Sequence, residues 1–292
     1  MSIPADAVRQ TLEEALVAVE PRRLLAYAAG ICSSRNCYLD DLRPEGIIAP
    51  PAFCVVAEWS VLNGSSFREA TRTHGELAWR RIHAHQDTTF HRPIRAPGTL
   101  QVRGRIVQVR PTRAGAFVLV TLSTHDARTG ILLTSTWWGA IYRGIDSVGA
   151  STVEEEPPLG TFDGSEGESA RLAIPRWLPH VYSECSQIWN PIHTERRIAI
   201  AYGLPDIILH GTATWALVGE TLIDIYGNGD PVRLRRLACR FKGPVIPGTH
   251  IVIKHAARRQ GPSTKIDFAV SSDTGEPALT GGIAEFQAPE GD

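Results

Sequence analysis

The chain has 292 residues, a formal net charge of −1 and an apolar fraction of 43%. That length suits two domains of ordinary size, and the composition is that of a folded globular protein. A charge so near zero excludes a global field that would recruit nucleic acid or an anionic membrane.

The opening stretch, "MSIPADAVRQTLEEALVAVE", carries acids early and lacks the basic-then-apolar order of a signal peptide. No apolar run reaches the length needed to cross a bilayer. Cys32, Cys37, Cys54, Cys185 and Cys239 are odd in number and show no CxxC pairing. They read as buried or partly buried free thiols in a reducing compartment, and the chain is expected to be cytoplasmic.

The first half opens on an irregular segment, "LLAYAAGICSSRNCYLDD". A helix is predicted over "PPAFCVVAEWSVLN", and strands over "TLQVRGRIVQVR", "AFVLVTLSTHD" and "ILLTSTWWGAIYR". Asp146 to Ser169 is rich in Gly, Ser, Pro and acids and reads as an exposed linker. The predicted organisation is therefore a first half over 1–145, a linker over 146–169 and a second half over 170–292.

The second half repeats the order. "HVYSECSQIWNPIHTER" comes first, then a helix over "GTATWALVGETLIDIY" with Thr212 or Thr214 available as its N-cap. That helix is apolar nearly all round and should be buried. Strands follow over "VRLRRLACRFKG", "THIVIKHAARR", "STKIDFAVSSD" and "PALTGGIAEFQ", separated by turn signals. In both halves an aromatic-plus-Pro phrase leads into Pro-Gly-Thr and a β-rich run, so the chain reads as a duplicated domain. A long helix followed by an antiparallel meander gives an α+β layer.

The residues at 186–193 and 202–213 carry a family resemblance. Ser186, Asn190, Pro191 and His193, followed by His210 and Gly211, resemble the motif of the MaoC-like R-specific enoyl-thioester hydratases and 3-hydroxyacyl-thioester dehydratases. That resemblance implies a double hotdog, two fused halves that each wrap an antiparallel sheet round a central helix. Two positions depart from the motif: Gln187 replaces a Gly, and Ile188 stands in the place of the Asp. In "GICSSRNCYLDD" Ser33 occupies the Asp place and Tyr38 the His place, so the first half resembles a degenerate copy. The resemblance assigns that half the groove for the acyl chain.

Hydration of a 2-enoyl thioester needs a base for water, an acid for the α-carbon and a donor for the enolate oxygen. The resemblance implies His193 as acid/base, Asn190 as its orienter and the Gly211 amide at a helix start as oxyanion donor. It leaves His210 and Thr212 beside the substrate. Isoleucine can neither give nor take a proton, so the missing carboxylate has to come from elsewhere or be dispensed with. Glu184 is the local candidate, since in a strand or a helix it shares a side with position 188.

Two further groups bear on binding. Arg233 and Arg235 share one side of a strand and, with Lys242, either form a solvated face or meet the phosphates of coenzyme A or of a carrier-protein arm. His83, His85 and His91 in "RIHAHQDTTFHR" lack the Cys or acids of a metal site, and the first two share a face if the strand is regular. There is no P-loop, no GxGxxG after a strand and no GxSxG elbow, which argues against nucleotide chemistry and serine hydrolysis. The expectation is a hydratase or dehydratase of an acyl thioester on coenzyme A or acyl carrier protein. It would use no metal or organic cofactor and act as a monomer or homodimer, without nucleic-acid or membrane partners. The alternatives are a hotdog enzyme turned to another acyl or polyketide-like intermediate, and a non-catalytic acyl-binding or partner subunit.

Overall fold

The structure is a computed structural model and describes residues 2–288 except 163, 166, 261 and 262. In chain order it begins with β1 (Ser2–Pro4), β2 (Ala15–Val19), α1 (Pro21–Gly30), α2 (Asn36–Leu39), α3 (Cys54–Leu62) and α4 (Ser65–Thr71). Strands β3 (Arg81–Phe90), β4 (Gly98–Thr112), β5 (Gly115–Asp126) and β6 (Leu132–Arg143) follow, then the short β7 (Asp146–Val148) and β8 (Ser151–Thr152). The remainder is β9 (Glu168–Ala173), α5 (Leu178–Ser186), α6 (Arg196–Ala201), α7 (Gly211–Tyr226), β10 (Leu234–Phe241), β11 (His250–Gln260), β12 (Ser263–Ser272) and β13 (Pro277–Gln287).

The predicted helix over 211–226 and the seven predicted strands are present within a residue or two of their expected ends. The predicted helix at Pro50 starts only at Cys54, because Pro50 and Pro51 lead a 3₁₀ turn instead. Helices α1 and α5 occupy segments that read as irregular from sequence.

Two compact units divide the described residues. The first takes those within 1–18, 57–92 and 98–158, and the second those within 19–56, 93–97 and 159–292. Chain halves and compact units thus differ: residues 19–56 of the first half group with the second unit.

In the first unit the strand order is β2-β4-β5-β6-β3, with β4, β5, β6 and β3 joined antiparallel. Val61 and Glu58 of α3 face this sheet, against Gly104 and Thr136. A register shift between His83 and His85 bends β3. The two histidines therefore point to opposite faces rather than one. His83 stacks on Trp138 with ring centroids 5.5 Å apart, while the Cβ of His85 lies over Gly139.

In the second unit the order is β10-β13-β12-β11-β9, antiparallel throughout. Helix α7 packs on β10 and β13 and buries Trp215, Leu217, Val218, Leu222 and Ile223. Each such side chain contributes about 2 kcal/mol by leaving water, which overrides the modest helix propensity of the β-branched residues. Residues 146–169 are not a free tether. β7 pairs with β1, β8 pairs with β4, and the Gly160 amide donates to Gly281 O at 3.1 Å. Lys254 Nζ donates to Gly164 O at 2.6 Å. Among the described residues no helix is long and apolar enough to cross a membrane. All five cysteines are free thiols; Cys54 and Cys239 are buried, whereas Cys32 is exposed rather than packed away.

Candidate active site

The site is assembled from α5, the turn after it and the start of α7, all in the second unit. Helix α5 ends because Gln187 turns left-handed, at φ 57° and ψ 30°. A non-glycine residue there is strained, and a glycine at this position relieves it. Cys32 has the same φ of 57°. It precedes Gln187 by the 155-residue offset that also separates Tyr27 from Tyr182, so the duplication repeats in backbone detail.

Beyond Gln187 the chain makes a 3₁₀ turn over Pro191–His193. Asn190 starts it by accepting the Ile192 amide on Oδ1 at 3.3 Å, and Pro191 supplies the preset φ. Asn190 therefore shapes the turn that carries His193. His193 Nδ1 lies 2.8 Å from the Ile208 carbonyl. A carbonyl only accepts, so Nδ1 bears the proton and Nε2 the lone pair. Burial pushes the imidazole down to about 4, and the Ile208 bond offsets this in part. The ring is thus neutral at pH 7 with a fixed tautomer.

His210 is the residue before α7 and is 2% exposed. Its ring stacks on His193 with centroids 3.6 Å apart and planes 22° from parallel. Nε2 lies 3.1 Å from the Ile188 carbonyl and 3.2 Å from Ser183 Oγ, which fixes its proton on Nε2. Burial, then the neighbouring His193, hold its pKa well below the usual histidine value. Position 188 contributes its backbone carbonyl to this scaffold, and the Ile188 side chain is buried.

Gly211 is the first residue of α7, where amides lack intrahelical partners and the dipole favours negative charge. A Cβ there would meet the Phe241 ring at 2.9 Å. Thr212 follows, half-buried, and its Oγ1 accepts a hydrogen bond from the Tyr182 hydroxyl at 3.0 Å. Sequence reading missed Tyr182, Ser183 and Tyr27, although the repeated offset marks the two tyrosines as equivalents.

The structure brings together His193, Asn190, His210, Gly211 and Thr212. It does not bring Glu184. That side chain is exposed and its Oε1 accepts the indole N–H of exposed Trp189 at 3.1 Å. The α5 helix aims position 184 outward before the chain reverses at Gln187, so the carboxylate does not substitute for the acid absent at Ile188. Of the proposed phosphate contacts, the two arginines have partners on Gln287. Arg233 Nε donates to Gln287 O at 3.0 Å and Arg235 Nε to Gln287 Oε1 at 2.8 Å, while Lys242 is exposed.

The first-half copy of the motif has become a clamp. Ser33 Oγ and Tyr38 Oη donate to the two carboxylate oxygens of Glu220 on α7, both at 2.9 Å. Arg35, at the Asn place, donates to Glu220 Oε2 at 2.8 Å, to Glu220 O at 2.9 Å and to Gly229 O at 3.0 Å. Ser33, Arg35 and Tyr38 thus hold α7 and the turn after it.

Residues 180–274 match the MaoC like domain family, and residues 8–129 match the FAS1-like dehydratase domain region. The chain has a double hotdog fold, and its second half carries a MaoC like domain. It is 25% identical over 263 residues to the 3-hydroxyacyl-thioester dehydratase Y of Mycobacterium tuberculosis, covering 85% of each chain. Among solved structures, the MaoC-like dehydratase of Phytophthora capsici superposes with a TM-score of 0.84 at 18% identity, covering 97% of this chain and 98% of that one. A Mycobacterium tuberculosis protein described as having a double hotdog fold gives a TM-score of 0.60 at 13% identity, with 96% of each chain covered. In this double-hotdog protein the His-Gly start of α7 and the Asn-Pro-Ile-His turn are brought together by the ring stack and by the Ile188 carbonyl.

Proposed function

We propose that this double-hotdog protein is a hydro-lyase that interconverts a 2-enoyl and a 3-hydroxyacyl thioester, with His193 as the single acid/base. One observation carries the reading: a neutral imidazole of fixed tautomer lies beside the N-terminal turn of a buried helix.

In the hydration direction His193 Nε2 takes a proton from water as the water oxygen bonds to the β-carbon. The double-bond electrons shift to form the enolate, the carbonyl π pair settles on its oxygen, and the Gly211 amide N–H donates a hydrogen bond to that oxyanion. The imidazolium then returns the proton to the α-carbon, and the carbonyl re-forms. One water is consumed and His193 ends as it began. Dehydration is the reverse. Ile188 offers no charge to stabilise the imidazolium, so the site works with one protonic group where the family motif has two.

The acyl group would be carried on coenzyme A or an acyl carrier protein, the latter favoured by the match to a fatty-acid-synthase dehydratase region. The chemistry calls on no metal or organic cofactor. The first half, whose own motif is consumed by Glu220, is read as the acyl-chain half. The buried Ile188 at the Asp place supports a second reading: an acyl-binding subunit that has surrendered turnover.

A mass-spectrometric assay of purified protein against enoyl and 3-hydroxyacyl thioesters, on both carriers, tests the assignment. Turnover that disappears in His193→Ala, with the variant still folded, supports the hydro-lyase. Tight thioester binding without turnover selects the binding subunit.

A further inference from the structure

The Tyr182 hydroxyl is fully buried, a position that an ordinary packing residue would fill with phenylalanine. It has two neighbours. Thr212 Oγ1 is at 3.0 Å and the Tyr27 hydroxyl at 3.5 Å. Tyr27 already donates its proton to Ala52 O at 2.9 Å, so it has none to give Tyr182. The shorter contact takes the Tyr182 proton, and Thr212 Oγ1 is the acceptor. Burial pushes Tyr182 up to about 12, so it remains a donor across the working range.

A threonine hydroxyl that accepts must send its own proton elsewhere. Within a helix the usual recipient is the carbonyl four residues back, as Thr214 shows by donating to His210 O and Thr221 by donating to Leu217 O. For Thr212 the residue four back is Ile208, which lies before the N-cap His210 and outside the helix, and among the described residues no hydrogen bond from the Thr212 hydroxyl reaches it. The hydroxyl sits half-buried on the first turn of α7, next to the Gly211 amide.

We propose that Thr212 is a second hydrogen-bond donor to the thioester oxygen, beside the Gly211 amide, and that Tyr182 is the positioning residue that sets the direction of its proton. This rests on the thioester reading of the site. It adds a side-chain donor to an oxyanion site that otherwise depends on one backbone amide. It also links the site to the duplicated scaffold, because Tyr182 is the repeat partner of Tyr27 and its ring centroid lies 4.9 Å from His210.

Two measurements on the full chain test the assignment. In the first, steady-state turnover of crotonyl-coenzyme A is compared across variants that retain the wild-type unfolding midpoint. Thr212→Val should lower kcat about 100-fold with KM nearly unchanged, the size expected for losing one oxyanion donor. Thr212→Ser should restore most of it. Tyr182→Phe should cost about tenfold, and the double variant should be no worse than Thr212→Val alone, since Tyr182 acts only through Thr212. Additive losses would overturn the positioning role.

The second measurement is calorimetric binding of butyryl-coenzyme A against S-butyl-coenzyme A, which lacks the carbonyl oxygen. Thr212→Val should weaken the thioester about tenfold and leave the thioether unchanged. Equal weakening of both ligands, or of neither, overturns the proposal while leaving the hydratase reading intact. Wild-type protein that cannot distinguish the two ligands overturns the proposal, and if it also shows no turnover the thioester reading fails with it.

Discussion

His193 and His210 lie face to face, ring centroids 3.6 Å apart and 22° from parallel, each with one nitrogen tied to a backbone carbonyl across the site. Two imidazolium ions cannot share that spacing in a buried setting, so the stack itself keeps the pair from both taking protons. The carbonyls of Ile208 and Ile188 decide where the protons sit. Nε2 of His193 is left basic, and Nδ1 of His210 is buried without a hydrogen-bond partner. Under the proposed function the rings act as one unit, with His210 as support and His193 as the reactive member.

The pH dependence of kcat/KM should follow from that arrangement. His193 has a folded-state pKa of about 4, below the ordinary histidine value of 6.5, so its active neutral form is present above that and lost as pH falls through about 4. The expected profile is flat from about pH 5 to neutrality, with its acid limb near 4. A limb near 6.5 would show that the imidazole is solvated in the working enzyme. The stability that the buried neutral ring contributes is likewise present above about pH 6.5 and lost as pH falls.

Ile188→Asp should restore a charge partner to the site. A carboxylate within about 5 Å raises an imidazole pKa by about one to three units, so the acid limb should move up by that amount. Hydratase kcat should rise about tenfold or more as water gains a second acceptor. A fall in activity would show that the apolar side chain serves a different reaction. Glu184→Gln is the matching control: its exposed pairing with Trp189 predicts kcat within about twofold of wild type.

Glu58 predicts a separate pH effect on stability. It is 1% exposed, accepts from Thr136 Oγ1 at 2.5 Å, and its other carboxylate oxygen has no hydrogen-bond partner. Burial pushes it up to about 7 from 4.5. The folded protein holds this proton to higher pH than the unfolded chain, so the stabilising contribution is intact below about 4.5 and lost as pH rises through about 7. Glu58→Gln should remove up to about 3 kcal/mol of this pH-dependent change, read from urea unfolding at a series of pH values. A wild-type and variant difference that stays constant with pH would mean the carboxyl is ionised throughout.

The Glu220 clamp predicts a stability loss without a change of chemistry. Glu220→Ala leaves the Ser33 and Tyr38 hydroxyls without their acceptor and removes the most buried partner of Arg35, which keeps Asp224 at 2.8 Å; the Arg35 and Glu220 side chains are only 14% and 13% exposed. Loss of a buried pair of this kind costs about 3 kcal/mol, measurable by denaturant unfolding. Arg35→Met with Glu220→Leu should recover part of it, because no buried charge is left unpaired: Asp224 is 68% exposed and solvated, and the remaining loss is that of the Ser33 and Tyr38 hydroxyls.

Much of the fold is legible in local pattern. Helix α7 can be placed because its apolar residues recur at helical spacing between a Gly and a Gly-rich turn, and the strands because alternation and turn residues bound them. Helices α1 and α5 are read as irregular although their buried residues recur at helical spacing, Leu24, Tyr27 and Ala28 in one and Leu178, Tyr182 and Ser186 in the other, because several of these are small or polar and weaken the apolar signal. They are helical because they pack on each other. A side chain at Gly30 would meet Cys185 Cβ at 2.6 Å, so that contact requires the glycine. The bulge in β3 is likewise silent in sequence, and it moved His83 and His85 to opposite faces.

The sequence by itself determined the duplicated α+β plan, the Asn-Pro-Ile-His and Leu-His-Gly phrases and the presence of an isoleucine, which carries no proton, at 188. Each depends on residue identity, short spacing or repetition. Only the tertiary structure decided where Glu184 points, which nitrogen of His193 is basic, and that Ser33, Arg35 and Tyr38 hold Glu220. These depend on partners distant in the chain, Trp189 aside, and on backbone carbonyls that carry no sequence signature. Hydrogen bonds to such groups are set by how elements pack, and local composition does not encode that.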